Sequence, residues 1–206
     1  MVIIEEIPKE WNVDADFYRN NHYIFQPLFS EEQCDEIISI GERLKKEDGT
    51  IRNDENAGVS IHIRKCKISW IPLAVETKWI FESIYKSVEK ANQWKLDIRG
   101  FHEALQYTVY DSTYADANHL PMYNWHTDTG RNTNYRKISL SVQLSNPNEY
   151  NGGIFELGRN GLFNEPKHLK KGNAIMFPSL LRHRILPITA GIRKSLVVWI
   201  AGPHIR

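Results

Sequence analysis

The spacing of apolar residues changes near Gly100, from a helical period before it to strict alternation after it. That change restricts the chain to folds that set helices against a sheet. Ser30-Glu31-Glu32-Gln33 reads as a capping box, its Ser30 hydroxyl accepting from the Gln33 amide while the Gln33 side chain reaches back. Phe29 and Cys34 stand where a hydrophobic staple would. Behind them Cys34, Ile37, Ile38, Gly41 and Leu44 make one apolar stripe, ending near Asp48-Gly49. A second helix is predicted over about 73–94, with Ile80, Ile84, Val88 and Ala91 on one face. After Gly100, Leu105, Tyr107 and Val109 alternate with Gln106, Thr108 and Tyr110. Ile138, Leu140, Val142 and Leu144 alternate with Lys137, Ser139, Ser141 and Gln143. Segments 153–157, 173–177, 182–186 and 192–200 follow, broken by turns at Asn151-Gly152-Gly153 and Lys171-Gly172-Asn173. Two helices ahead of short strands predict an α+β chain, a β-sandwich or barrel backed by helices. No repeat, low-complexity run or linker interrupts it. The whole of 1–206 therefore reads as one domain, with helical support at about 30–95 and a strand core at about 100–203.

A net charge of +1 with no long basic run disfavours nucleic acid as a main partner. Two cysteines, Cys34 and Cys66, make neither a disulfide framework nor a cysteine-rich zinc site. The first residues reach Glu5, Glu6 and Pro8 before any secretory apolar region forms, and no apolar run is long enough to span a bilayer. The expectation is a cytoplasmic protein without a membrane partner. Loops 49–60 and 111–122 are polar and are candidate lids.

His126-Thr127-Asp128 places an imidazole and a carboxylate two residues apart, on one side of an extended segment. Alone, such a pair is more often a surface pair than a ligand set. His183 supplies a third donor from a later strand. Two histidines and a carboxylate make a facial triad, which leaves three adjacent iron positions open for a bidentate 2-oxo acid and dioxygen. Alternation in 192–200 puts Arg193, Ser195, Val197 and Trp199 on one face. An arginine on an apolar strand needs a counter-ion. The distal carboxylate of a dicarboxylic 2-oxo acid would serve, with Ser195 adding a hydrogen bond. A structural Asp or Glu, or a solvated strand edge, would serve as well. The polar face Ser139, Ser141 and Gln143 points into the barrel if the apolar face lies under the helices, and into solvent otherwise. Trp125, beside His126, is expected to face away and pack. Of the remaining histidines, His119 is the best further ligand candidate, because of its loop.

The run 171–203, KGNAIMFPSLLRHRILPITAGIRKSLVVWIAGP, resembles the C-terminal half of the 2-oxoglutarate–iron(II) oxygenases of the prolyl 4-hydroxylase-like superfamily. Upstream, Leu105-Gln106-Tyr107, Tyr123-Asn124-Trp125-His126-Thr127-Asp128, Asn151-Gly152-Gly153-Ile154-Phe155 and Phe29-Ser30-Glu31-Glu32-Gln33-Cys34-Asp35 are similar to that family's motifs, in the same order. The resemblance covers about 22–203 and implies a double-stranded β-helix (jelly roll), with the two N-terminal helices packed on one sheet. It implies His126, Asp128 and His183 as iron ligands, and Arg193 as the residue that holds the 2-oxoglutarate C5 carboxylate. Ser195, Tyr107 and Gln143 would be further cosubstrate contacts. Implied with them are iron(II), 2-oxoglutarate and dioxygen, with ascorbate a candidate addition. The implied activity is hydroxylation of an unactivated C–H bond, of a prolyl or other peptidyl residue or of a small molecule, with release of succinate and carbon dioxide.

Two features depart from the family's pattern. The link 111–122 is long and lacks glycine, and collagen-type prolyl hydroxylases usually carry Lys where Arg193 stands. Both bear on the substrate rather than on the cofactor chemistry. The rival readings are a non-catalytic β-helix binding module and a cupin-like metal-dependent hydrolase. The sequence leaves substrate and oligomeric state open.

Overall fold

The computed structural model describes residues 21–49, 63–158 and 170–204. Loop 50–60, most of the first candidate lid, lies outside them. Along the chain come β1 (Tyr23–Phe25), α1 (Glu31–Arg43), β2 (Glu47–Asp48), β3 (Arg64–Lys65), β4 (Lys67–Ile71) and α2 (Lys78–Ala91). Then follow β5 (Gly100–Phe101), β6 (Leu105–Asp111), β7 (Met122–His126), β8 (Arg136–Gln143), β9 (Tyr150–Gly152), β10 (Phe155–Leu157), β11 (Ala174–Pro178), β12 (His183–Ile185) and β13 (Ile188–Ala201). One large sheet runs in the order β1-β11-β8-β13-β6-β4-β2, with β5 and β9 also paired to β13. A smaller sheet runs β10-β12-β7-β3. No helix among the described residues is long and apolar enough to cross a membrane.

Both helices begin and end for local reasons. Ser30 caps α1 through the capping box with Gln33, and the helix stops at Arg43, so that Glu47 and Asp48 pair with β4 instead of extending it. The second helix is shorter than its apolar pattern suggested. The Thr77 hydroxyl accepts from the Ala74 amide and donates to the Pro72 carbonyl, which turns 72–77 before the helix begins. Its buried face, Ile80, Ile84 and Val88, follows the predicted spacing.

The large sheet buries both faces, and alternation along each strand decides which residue goes where. Leu105, Tyr107 and Val109 of β6, Ile138, Leu140 and Val142 of β8, and Leu196, Val198 and Ile200 of β13 share one apolar cluster with Cys34, Ile37, Ile80, Ile84 and Val88 of the helices. The opposite face looks toward the small sheet. There Ile68, Tyr110, Ile175 and Phe177 meet Phe155, Leu157 and Ile185 across the gap. The polar residues of β8 are thus turned inward: Ser139 and Ser141 line a cavity between the sheets.

Gly41 marks the closest approach of α1 to the sheet. A Cβ there would come within 2.4 Å of the Tyr107 ring, and its carbonyl accepts from the Ser69 hydroxyl at 2.9 Å. Alanine should gain about 1 kcal/mol of helix propensity but force the helix off a packed ring, at about 1–3 kcal/mol. Gly41→Ala is therefore expected to be net destabilising in denaturant titration. An unchanged or higher midpoint would show that α1 can lift without loss.

Candidate active site

The cavity between the sheets has a volume of about 740 Å³. At one end His126 closes β7 and His183 opens β12, and antiparallel pairing sets them directly opposite each other. Their ring centroids are 4.1 Å apart. Asp128 follows two residues after His126, its Oδ1 3.8 Å from His126 Nε2 and its Oδ2 3.4 Å from His183 Nε2. One donor atom from each of the three lies within 4.8 Å of the other two, a group that could hold a metal ion.

The tautomers follow from what the other ring nitrogens touch. His126 Nδ1 is 2.7 Å from the Asn124 carbonyl and His183 Nδ1 is 3.0 Å from the Leu181 carbonyl. A carbonyl only accepts, so each Nδ1 carries the hydrogen and each Nε2 presents a lone pair to the group. Burial, with His183 beside it, pushes the His126 pKa down to about 3, so the ring is neutral at physiological pH. Burial works against the charge on Asp128, but the two imidazoles and the Ser139 hydroxyl outweigh it and hold the carboxyl below its usual range. Two imidazoles and a carboxylate are the donor set of a facial iron(II) site. Tyr123 stacks on His126 with centroids 3.4 Å apart, and Phe177 stands edge-on to His183 at 4.7 Å.

Arg193 projects from β13 into the same cavity and is 3% exposed. It donates to Ser195 Oγ at 3.3 Å, and its Nε has no hydrogen-bond partner among the described residues. No carboxylate among those residues pairs with it. Among the described residues neither a structural acid nor a solvated edge accounts for this arginine, and the cavity it faces could supply a counter-ion. The turn at Gly152 and Gly153 makes room for it. Both have positive φ, and a Cβ on Gly153 would meet Arg193 Cδ at 2.8 Å.

The structure therefore gathers His126, Asp128, His183, Arg193 and Ser195 around one cavity, and places Tyr107 and Gln143 outside its lining. Tyr107 lies on the helix side of β6, fully buried, its hydroxyl donating to Glu42 Oε1 at 2.7 Å. The tyrosine of β6 that faces the cavity is Tyr110, whose ring lies 5.7 Å from the Arg193 guanidinium. Gln143 is paired in register with Ser195, and its amide donates to the Ser145 carbonyl and to the Tyr150 hydroxyl, both at 3.1 Å. Loop 112–121 is not at the cavity. Asp116 ties it to Lys65, and the rim is formed instead by 129–133. Trp125 does face away, under Arg184 at 4.6 Å. Arg64 and Tyr123, to which sequence reasoning gave no site role, are on the cavity wall, as are Ser139 and Trp199, which it had only grouped by face.

A jelly roll with a two-histidine, one-carboxylate group and a buried arginine in its mouth defines the class: a 2-oxo-acid-dependent iron oxygenase fold. The sequence profile of the 2OG-Fe(II) oxygenase superfamily matches residues 106–201. A PKHD-type hydroxylase of Synechococcus sp. (strain CC9902) is 30% identical over 162 residues, covering 74% of this chain and 64% of that protein. One from Azoarcus sp. (strain BH72) is 35% identical over 99 residues, covering 43% of this chain and 40% of that protein. The match to each relative thus spans less than two thirds of its length. Among solved structures, a prolyl hydroxylase from Trichoplax adhaerens, in complex with a hypoxia inducible factor oxygen degradation domain peptide fragment, superposes with a TM-score of 0.66. It is 17% identical, with 91% of this chain and 86% of that one covered. Together these make the chain similar to the 2OG-Fe(II) oxygenase superfamily, most of all to its prolyl-hydroxylase-like branch. That similarity implies iron(II), 2-oxoglutarate and dioxygen.

Proposed function

We propose that the chain is a 2-oxoglutarate-dependent hydroxylase acting on an unactivated C–H bond, of a prolyl or other peptidyl residue. The observation that carries this reading is the shared cavity: three metal-competent donors at one place and, at another, a buried arginine with no acid partner among the described residues. On this reading His126, Asp128 and His183 hold iron(II), and Arg193 with Ser195 grips the distal carboxylate of 2-oxoglutarate. Tyr110, not Tyr107, lines that end. Iron(II), 2-oxoglutarate and dioxygen would supply an oxidative decarboxylation that leaves succinate, carbon dioxide and a hydroxylated substrate carbon. The chain's own residues bind, orient and exclude water. The stacked Tyr123 and the apolar Phe155, Phe177 and Ile185 keep the metal end dry.

A volume of about 740 Å³ is in the upper range for small-molecule pockets and leaves room beside a five-carbon cosubstrate. Trp70, which is part-exposed at 36%, and the rim 129–133 give that room an open side. A peptide substrate suits that opening, as one suits the Trichoplax relative. On the same reading 1–206 is one oxygenase domain, with the two N-terminal helices as the support of the large sheet. Buried free Cys34 and Cys66 fit the cytoplasm as its compartment.

The test is anaerobic titration of metal-free protein with iron(II) and then 2-oxoglutarate, watching for the weak visible charge-transfer band of the chelate. A saturable band, followed by succinate formation on admitting air, is the expected result. Iron bound without a band would hand the site to a metal-dependent hydrolase or a binding module, which have no use for Arg193.

A further inference from the structure

We propose that Ser139 is a positioning residue that holds the Asp128 carboxylate to a single metal-facing oxygen. The inference rests on the iron site proposed above and adds to it a residue outside the ligand set. Ser139 sits in the middle of the large sheet, paired in register with Phe177 of β11 and Trp199 of β13. Its side chain is on the cavity face, and the residue is 1% exposed. Its Oγ lies 2.6 Å from Asp128 Oδ2 and 3.0 Å from Ser179 Oγ.

A hydroxyl has one hydrogen, and only one of these two neighbours can receive it. The carboxylate has no hydrogen of its own and carries charge, so it takes the Ser139 proton in the stronger, charge-assisted bond. Ser179 must then donate to Ser139. The string therefore runs one way, Ser179 to Ser139 to Asp128, each bond polarising the next. The backbone of Asp128 is held from other sides: its amide donates to the Ser179 carbonyl at 3.0 Å. Its carbonyl accepts from Thr133 Oγ1 at 3.0 Å and from Arg136 Nη1 at 3.2 Å. With the main chain fixed and Oδ2 engaged, the carboxylate has little freedom to swivel. Oδ1 accepts no hydrogen bond among the described residues.

The consequence concerns the number of metal positions. Carboxylates ligate through one oxygen or through both. Two-oxygen binding by Asp128 would occupy a fourth position and take away one of the three a facial triad leaves free, two for the cosubstrate and one for dioxygen. A hydrogen bond that occupies Oδ2 favours the single-oxygen mode and keeps the last position open.

The experiment loads wild type, Ser139→Ala, Ser139→Cys and Ser139→Thr anaerobically with iron(II) and saturating 2-oxoglutarate. Nitric oxide is then added as a probe of the last position, and the nitrosyl EPR signal is measured per bound iron. Ser139→Ala is expected to bind iron about 10–100-fold more weakly, the usual effect of losing an outer-shell partner. It should keep the 2-oxoglutarate band at saturation and lose most of its nitrosyl signal per iron. Ser139→Thr keeps the hydroxyl and should restore both; Ser139→Cys, with its weak donor and similar size, should fall between. A purely structural serine would lower thermal stability and leave the signal per iron unchanged. That result in Ser139→Ala, or in Ser139→Cys should the alanine variant not fold, overturns the proposal while leaving the iron site standing. Wild type that binds no iron at the triad overturns the site reading itself.

Discussion

His183→Ala should lose iron and succinate formation together, while His119→Ala should change neither. Losing a group that only orients a ligand weakens a metal site by about 10–100-fold. Losing one of three ligands should exceed that, so iron affinity in His183→Ala is expected to fall by more than about 100-fold. The linkage between binding and folding provides a readout that needs no substrate. Iron(II) at 100 times its dissociation constant stabilises a protein by about 2.7 kcal/mol. Wild type and His119→Ala should therefore melt higher when iron is added anaerobically, and His183→Ala should not. His119 is the sharper control because its polar loop made it a plausible ligand. Its Nδ1 lies 3.2 Å from Asp116 Oδ1, away from the cavity lining. An iron-induced rise in His183→Ala equal to that of wild type would mean that the metal sits elsewhere. Because His183 is buried between Phe155 and Phe177, the variant's own metal-free stability is the reference for its shift.

How far the site could be read from sequence depended on whether the information was local. His126-Thr127-Asp128 is local, and an extended backbone suffices to aim both side chains one way. That His183 lands opposite His126 depends on the pairing of β12 with β7, which no short window reveals; residue type and the family resemblance named it as the third donor without giving that geometry. The inward turn of Ser139 was undecided because β8 alternates whether its polar side meets water or a second sheet. The answer lies in the small sheet, part of which, β3, comes from before Gly100, where no strand was predicted. Tyr107 is more instructive. The alternation in 105–110 already grouped it with Leu105 and Val109, on the face that packs under α1, and set Tyr110 on the other. The family's motif put Tyr107 at the cosubstrate, whereas alternation puts it on the helix side, where it lies, and Tyr110 on the cavity side. Arg193 follows the same rule, its face read from alternation and found to be the face that lines the cavity.

Arg193→Ala should move the half-saturation point for 2-oxoglutarate upward by about 30-fold to several thousand-fold, without costing the cosubstrate-free protein its stability. The first part follows from truncating one partner of a buried, hydrogen-bonded charge pair, which costs about 2–5 kcal/mol, at about 1.4 kcal/mol per tenfold. The second runs against the usual expectation for a buried residue. In the free protein Arg193 is a buried cation with an unpartnered Nε and no carboxylate beside it among the described residues. Such a charge is a burden that the fold carries for its ligand's sake, and apolar replacement of buried charges is often neutral or stabilising. Thermal melts of metal-loaded wild type and Arg193→Ala should therefore be close without 2-oxoglutarate and diverge as it is added. Arg193→Lys keeps the charge but loses the two-pronged geometry, so its half-saturation point should lie between the two. The charge-transfer titration measures all three. A half-saturation point unmoved in Arg193→Ala would assign the cosubstrate carboxylate to the other buried guanidinium on the cavity wall. That is Arg64, which donates to Gln106 at 2.6 Å and lies over the Tyr123 ring. The cosubstrate would then lie along the Tyr123 side of the cavity, and Arg64→Ala would carry the loss instead.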